Sequence, residues 1–488
     1  ATVGIEDVRS ARHAWIAQHD VEGDASIAVA DHIAQLPDWP VDDAIARFDA
    51  ASDLATALVE FDTREINARR ALRLAVGVHG PDHPEVLRRE IDITWFSRVD
   101  AELAFSDEQW RLVDRLRALG DHANLVRLAT LVIPMAPNLE ADNPDPRLVA
   151  LVDEALSLPV DPALRSMAAS AATDLFSLCD IERCRRYAEL AYADADAVGD
   201  DLLLISAIEG FSIALGHPDD WPRRASLGVQ AISLAERLDD GLKRGGALQM
   251  VFNNQLQTGD PLCRATLDRM RVLADRYERP GYRFALGFME ASLLHVEGRL
   301  EECEATLHAS GTLIPLARSR VDAIVFAELF AVRVAQGRMA ELREPIERLA
   351  REQPRFGLWH GYRCWIEASL GNLATATQLL DEIDDGAGLP PTISWAAAAY
   401  STARAAALVG RATHCRRAYE LLAPHSGLMA WMGSGILGPI DVALGELSLA
   451  MGRHDDARVH VQGAQRLVRA LHAPVFEPAL KSLHARLA

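Results

Sequence analysis

Two clusters of histidine and aspartate are the first places where this sequence could do chemistry. His79-Gly80-Pro81-Asp82-His83 places two imidazoles near a carboxylate, and His454-Asp455-Asp456 lies close to His460. In the first cluster, the Gly and Pro prevent a shared helical face and no third ligand is visible, so we interpret it as a polar turn. In the second, both aspartates fall in the first turn of a predicted helix, where carboxylates meet the positive end of the helix dipole.

Motifs for nucleophilic catalysis and phosphate binding are missing from the sequence. Gly433-Ser434-Gly435 does not complete the G-x-S-x-G turn of hydrolases, and no strand is predicted before it. The only lysines, Lys243 and Lys481, both lie outside any G-x-x-x-x-G-K-[ST] pattern. No H-E-x-x-H occurs either. We therefore predict a protein that is not an enzyme and that holds neither a metal nor a cofactor.

Composition excludes further classes of function. The chain has 488 residues, with 70 acidic against 50 Lys and Arg residues and a net charge of −20, which disfavours direct binding to nucleic acid. No run of eighteen apolar residues is present, so no membrane span is predicted, and the first residues do not resemble a signal peptide. The six cysteines are scattered, as in proteins of a reducing cytosol, so we predict a cytoplasmic protein.

The elements that must position any site are helices. Apolar residues recur at spacings of three and four over 191–214, 396–408 and 442–451, and alternating β patterns are missing. The sequence therefore predicts a nearly all-α chain.

A turn signature repeats along the chain. A glycine is followed five positions later by a small residue, and the glycines stand 34 to 42 residues apart from Gly298 to Gly452. This period is typical of tetratricopeptide-type helical hairpins, in which the glycine ends helix A and the small residue lets helix B approach it. The glycines are Gly298, Gly337, Gly371, Gly410 and Gly452, with weaker copies at Gly216 and Gly259 and a variant at Cys179; the small residues are Cys184, Cys303, Ala376, Cys415 and Ala457.

Two regions follow from the distribution of these repeats. Residues 101–488 are predicted to form a solenoid of degenerate tetratricopeptide-like hairpins, and residues 1–100 an N-terminal helical segment or cap. Asn138 to Arg147 contains several prolines and is predicted to be a loop within the array.

In a solenoid of this type, the A helices line a concave groove. Counting back from each turn glycine predicts which side chains face the groove, and aromatic, arginine and amide groups are typical of binding sites. Packing between repeats is the alternative role for each aromatic residue. The predicted ligand-binding residues are Gln249, Asn253, Phe288, Ser292, His295, Trp365, Tyr400, Arg404 and Glu446, with Trp359, Trp395 and Trp431 as a rim.

The C-terminal segments resemble a known group of regulators. Tyr419–His425, Gly433–Ile440, Leu444-Gly445 and Met451–Ala457 are similar to the end of the helical region in large actinobacterial signal-transduction ATPases, which include LuxR-type activators, antibiotic-regulatory activators and adenylate cyclase homologues. The resemblance covers residues 170–488, and the Walker motifs of that family are missing here. It implies a sensor array that follows an ATPase module in a larger parent chain, so we expect this chain to be a fragment.

The sequence therefore predicts a non-catalytic sensor domain that binds a small-molecule inducer or a protein or peptide partner in its groove. By population shift it would then influence an ATPase or output module of the same parent chain. The alternative is a stand-alone scaffold for protein–protein interaction. A deep aromatic pocket would favour the sensor, and a wide acidic groove would favour the scaffold.

Overall fold

The computed structural model of the protein describes residues 45–46, 61–96, 107–132, 145–177, 180–238, 241–277, 280–312 and 318–487. The described residues form two compact units. One lies within Ala1–Met135 and Leu151–Asp161, and the other within Ala136–Ala150 and Pro162–Ala488. The boundary predicted at residue 100 lies outside the described residues.

The fold is all-α, as predicted. The helices of the N-terminal part are α1 (Phe61–His79), α2 (Pro84–Phe96), α3 (Asp107–Leu119), α4 (His122–Val132) and α5 (Pro146–Ser157). The predicted polar turn at His79–His83 joins α1 to α2, and its two imidazoles stack with centroids 4.6 Å apart. The loop predicted over Asn138 to Arg147 lies mostly outside the described residues, and α5 already begins at Pro146.

The second unit continues as a series of helices with one short hairpin of strands. Their bounds are α6 (Pro162–Phe176), α7 (Ile181–Val198), α8 (Asp201–Ala214), α9 (Trp221–Leu238), α10 (Gly241–Thr258), α11 (Cys263–Tyr277), α12 (Pro280–Val296), α13 (Leu300–Gly311), α14 (Arg318–Ala335), α15 (Arg343–Glu352), α16 (Gly357–Ser369), α17 (Leu373–Glu382), α18 (Trp395–Val409), α19 (Ala412–Leu422), β1 (Met429–Trp431), β2 (Ile436–Pro439), α20 (Ile440–Ala450), α21 (His454–Leu471) and α22 (Glu477–Leu487).

The turn glycines end the A helices as the sequence predicts. At Gly259, Gly298, Gly337, Gly371, Gly410 and Gly452, φ lies between 69° and 81°, the left-handed conformation that favours glycine. At five of the six, the next residue donates its N–H to the carbonyl five residues earlier, over 2.8 to 2.9 Å. This is the Schellman arrangement, which satisfies carbonyls that the helix end leaves free. Gly216 differs, because its φ is not positive and it packs directly against the backbone of Ile393.

The small residues of the B helices are buried against the A helices. Cys184, Cys303, Ala376, Cys415 and Ala457 are all fully buried. The thiol of Cys303 lies 3.2 Å from the carbonyl oxygen of Ala291, and the thiol of Cys415 lies 3.4 Å from that of Ala406. Burial raises the pKa of the Cys415 thiol to about 11, so it is an uncharged packing group at neutral pH. Cys179 lies outside the described residues.

The strands β1 and β2 form an antiparallel hairpin that the sequence analysis did not predict. Met429 pairs with Pro439 and Trp431 with Ile436, with an irregularity between the two pairs. Gly433 and Ser434 form the tip, where Gly433 has φ +107° and the Met432 N–H donates 3.0 Å to the Gly435 carbonyl. A glycine with positive φ at the first tip position is the requirement of a tight two-residue turn.

The hairpin packs among the A helices of the second unit. It contacts α10, α14 and α18, which are far apart in sequence. Met429, Trp431 and Ile436 share one apolar core with residues of α10, α12 and α21. The early and late helices of this unit are therefore joined through one element. No helix in the described part of the chain has the length and apolar character needed to cross a membrane.

Candidate functional site

A cavity of about 300 Å³ lies between the A helices and the hairpin of the second unit. That volume is at the lower end of the range of small-molecule sites. Its walls come from α8, α9, α10, α12, α14, the start of α16 and the hairpin tip. They are formed by Ser177, Ser212, Ile213, Arg224, Gly246, Gln249, Met250, Asn253, Phe284, Phe288, Ile324, Ala327, Phe356, Leu358, Ile393, Trp431, Met432, Gly433 and Ser434.

Most of the cavity wall is apolar and aromatic. Phe284 and Phe288, one helical turn apart on α12, pack edge to face with ring centroids 4.8 Å apart. Phe356 precedes α16, and Trp431 belongs to the hairpin. A few polar groups interrupt this surface, including the amides of Gln249 and Asn253 and the guanidinium of Arg224. An apolar lining with a few fixed polar groups is typical of small-molecule sites.

Three of the nine predicted ligand-binding residues line this cavity. Gln249 and Asn253 stand one turn apart on α10, and both are half-buried. Phe288 is buried in the part of the wall that α12 contributes. On these two A helices, the residues that the tetratricopeptide register selected therefore lie at the cavity.

Two further predicted residues, Ser292 and His295, follow Phe288 along α12 but do not line the cavity. The Ser292 hydroxyl donates 2.9 Å to the carbonyl of Ser434 at the hairpin tip. His295 packs edge to face on Phe476, and burial lowers the pKa of its imidazole to about 4. Ser292 therefore holds the hairpin tip against α12, and His295 packs α12 against the segment before α22.

The remaining four predicted residues meet in one buried cluster away from the cavity lining. The Arg404 guanidinium lies 2.5 Å from the Glu446 carboxylate and donates 2.9 Å to the Tyr400 hydroxyl. Its central carbon lies 4.8 Å from the ring centroid of Trp365. Trp365 and Tyr400 are buried, and the Arg404 and Glu446 side chains are 18% and 14% exposed. The cluster joins α16, α18 and α20, and packing between repeats accounts for it.

The three tryptophans predicted to form a rim lie in different surroundings. Trp359 is fully buried, and its indole N–H donates 2.5 Å to Gln353. Trp395 packs against the imidazoles of His217 and His425, with ring centroids 4.3 and 5.3 Å away. Trp431 alone lines the cavity, from a strand rather than from a helix start.

Arg224 and the hairpin are parts of the site that the sequence analysis missed. Arg224 lies on α9, a B helix, so counting along A helices could not select it. The hairpin did leave a signal, because Gly433-Ser434-Gly435 lies between the apolar runs 428–432 and 436–437, a pattern typical of a β-turn between strands.

A buried carboxyl, Glu328 on α14, lies beneath the hairpin tip. It is 3% exposed, and its carboxyl carbon lies 3.3 Å from the position that a Cβ on Gly435 would occupy. Burial raises the pKa of Glu328 to about 8, although Ser434 and Ser292 lower it in part. The carboxyl is therefore largely protonated at neutral pH and adds little negative charge to this part of the unit.

Two histidine–aspartate pairs with both side chains buried lie elsewhere in the described part of the unit. The His414 imidazole is 2.5 Å from the Asp385 carboxylate, and His460 is 2.7 Å from Asp441 and 3.0 Å from the Tyr419 hydroxyl. Asp441 also accepts hydrogen bonds from Ser426 and Gly427, so it fixes the start of the hairpin. Neither pair lines the cavity. Within the described ranges, no three His, Cys, Asp or Glu side chains are grouped so as to hold a metal ion.

Comparison with known proteins does not assign the chain to a family. No protein-family model matches it, and no curated protein sequence matches it significantly. The interpretation of the site therefore depends on its own geometry.

Proposed function

We propose that the second unit is a non-catalytic sensor domain that binds a small molecule in the cavity between its A helices and the hairpin. The observation that supports the proposal is the cavity lining, which combines amide groups of α10 with the aromatic rings of Phe284, Phe288, Phe356 and Trp431. Binding would bias a neighbouring regulatory module, such as an ATPase of the same parent chain. The resemblance of residues 170–488 to signal-transduction ATPases agrees with this role.

The shape of the site favours a small molecule over a protein partner. A scaffold for proteins needs a wide accessible groove, because stable protein interfaces bury about 800 Å² on each partner. Here the hairpin occupies the space between α10, α14 and α18. What remains is a cavity of about 300 Å³, which suits a compact ligand.

The walls suggest how binding would be communicated. Six helices and the hairpin tip contribute to the described walls of the cavity, so a bound molecule could contact several of them together, for example through Gln249, Phe288 and Ser434. The hairpin would have two states, one packed against the A helices and one displaced from them. A ligand that binds the packed state more tightly would increase the population of that state, and the difference between its affinities for the two states would set the size of the shift. The hairpin and the curvature of the array are the elements that would change.

The test is a thermal-shift screen of apolar small molecules with wild-type protein and Gln249→Trp, in which the larger side chain fills the cavity. A ligand at 100 times its Kd stabilises the folded state by about 2.7 kcal/mol, which is a measurable rise in Tm. We expect hits that raise the Tm of the wild type and not of Gln249→Trp. The control is Gln378→Trp, on the exposed face of α17, which should retain the shift.

Hydrogen exchange then tests the communication. A hit should slow amide exchange over 429–439, because it holds the hairpin in place. Hits that shift Gln249→Trp as strongly as the wild type, or a screen without hits, would contradict the proposal.

A further inference from the structure

The chemistry of one cavity wall is set by the buried Arg224. The residue is 1% exposed on α9. Its guanidinium donates 2.9 Å to the Leu215 carbonyl and 2.6 Å to the Asn254 amide oxygen, and it also donates to Gln257. Its central carbon lies 4.3 Å from the ring centroid of Trp431, which closes the wall on the hairpin side. All three hydrogen-bond acceptors are neutral.

The charge of Arg224 is not balanced by any carboxylate of the described residues. The nearest acidic influence is Asp220, one turn earlier, which pairs with Arg185. Burial lowers the pKa of Arg224 only to about 10, so it stays charged at neutral pH. Among the described residues that line the cavity, Arg224 is also the only one with a charged side chain. An unpaired buried cation is costly, and a bound anion would offset that cost.

Several hydrogen-bond donors close to Arg224 have no partner among the described residues. Because Asn254 and Gln257 accept from Arg224 through their oxygens, their NH₂ groups point elsewhere. Across the part of the chain that the structure describes, neither of these NH₂ groups has a hydrogen-bond partner, and neither does the indole N–H of Trp431. The guanidinium of Arg224 has five N–H donors, and three of them are used by the acceptors named above. Arg224 and Trp431 line the cavity, whereas Asn254 and Gln257 are not among its lining residues. The wall formed by Arg224 and Trp431 therefore offers more N–H donors than its neighbours accept.

We infer that the ligand of this cavity is an amphipathic monoanion, with a carboxylate head at the wall formed by Arg224 and Trp431 and an apolar body against Phe284, Phe288 and Phe356. A single cation matches a single negative charge, and a guanidinium pairs well with the two oxygens of a carboxylate. A phosphate dianion would bring a second charge for which the lining offers no cation. The inference depends on the proposed function, since it specifies the ligand of the same cavity.

Three probes that differ only in the head group test this assignment: decanoate, decanol and decylamine. Calorimetric titration into the full chain should show decanoate binding at least tenfold more tightly than decanol, and decylamine binding most weakly. The preference should disappear in Arg224→Gln. The matched control is Arg223→Gln, because Arg223 is the preceding residue and pairs with Glu189 at 2.5 Å on an exposed face. This control should keep the preference.

A second variant protects the test against misfolding of Arg224→Gln. Trp431→Phe keeps an aromatic ring beside Arg224 but removes the free indole N–H. It should weaken decanoate binding several-fold and leave decanol binding nearly unchanged. Loss of affinity for both probes in equal proportion would assign Trp431 to packing and would count against the carboxylate position.

The remaining outcomes separate this inference from the proposed function. If decanol binds as tightly as decanoate and Gln249→Trp abolishes both, the cavity is a ligand site but the anionic assignment is wrong. If decylamine binds most tightly, the assignment of charge is wrong. If none of the probes binds the wild type, and the screen of apolar molecules also gives no hits, both proposals fail.

Discussion

The hydroxyl of Ser292 donates a hydrogen bond of 2.9 Å to the backbone carbonyl of Ser434, which lies 142 residues later in the chain. This bond ties helix α12 to the tip of the hairpin. Because Ser292 is buried, Ser292→Ala leaves the carbonyl without its donor, which should cost about 1 kcal/mol.

The loss should appear first as faster hydrogen exchange over 432–438. Ser233→Ala is the control, since the Ser233 hydroxyl bonds only to Val229 on its own exposed helical turn. Equal exchange at the hairpin in both variants would show that this bond does not hold the tip.

Glu328 should make the stability of the unit depend on pH. Its pKa is about 8 in the folded protein against an ordinary value of 4.5, so the folded state binds the proton more tightly than the unfolded state. Stability contributed by the protonated carboxyl therefore falls as pH rises from about 4.5 to about 8, and then levels off. Glu328→Gln lacks this loss, so its stability relative to the wild type should increase across that window.

Urea denaturation at pH 5, 7 and 9 measures the difference for Glu328. Glu301→Gln, on the exposed face of α13, serves as the control and should follow the wild type at all three values. Parallel pH profiles for wild type and Glu328→Gln would show that the carboxyl is not buried as described.

The pair Arg404–Glu446 should contribute strongly to stability when only one partner is changed. Glu446→Gln leaves the Arg404 guanidinium largely buried without a counter-charge, which should cost about 3 kcal/mol. Replacing both residues with Leu should recover most of the loss, because no isolated charge then remains. Denaturant midpoints of Arg404→Leu, Glu446→Leu and the double Leu variant give the coupling energy.

The control for the buried pair is Glu341→Gln, which breaks an exposed pair with Arg338 at 2.7 Å and a longer contact with Arg333 at 3.5 Å. The side chains of Arg338 and Glu341 are about half exposed, 48% and 49%. Its effect should stay below about 1 kcal/mol. Equal losses at Glu446 and Glu341 would mean that burial does not strengthen the first pair.

The stability cost of a substitution at Gly298 should come from its backbone conformation and not from a steric clash. Its φ is +76°, and a Cβ there would meet no atom within 4 Å. Gly298→Ala should therefore destabilise the unit by about 1 kcal/mol through the left-handed conformation alone, whereas Gly298→Asn should cost less, because Asn adopts that conformation more readily. Thermal denaturation of both variants tests this order, and an Asn variant less stable than the Ala variant would contradict it.

The local features of the fold could be predicted because short-range physics determines them. A glycine in a left-handed helix end and a small residue five positions later are visible at Gly298 and Cys303, and both have the predicted roles. Counting back from the turn glycines also selected Gln249, Asn253 and Phe288 on α10 and α12, and these three residues line the cavity.

The rest of the site could not be predicted, because it depends on contacts between residues that are far apart in the sequence. The register places Tyr400 and Arg404 on an A helix, but it cannot show that Glu446 fills the space in front of them. Arg224 acquires its role from Trp431, 207 positions later, through a hairpin with strands of only three and four residues.

The close approaches of Gly216 to Ile393 and of Gly259 to Leu467 have a consequence for how the second unit folds. In an open repeat array each hairpin contacts only its neighbours, so hairpins can unfold one at a time. Here contacts span about 200 positions, which raises the contact order, and such topologies fold slowly. The early hairpins then depend on the late ones, so a chain truncated before Met429 should lose its cooperative unfolding transition rather than simply shorten. Calorimetry on that truncation, compared with the full chain, would reveal whether the unit is one cooperative block.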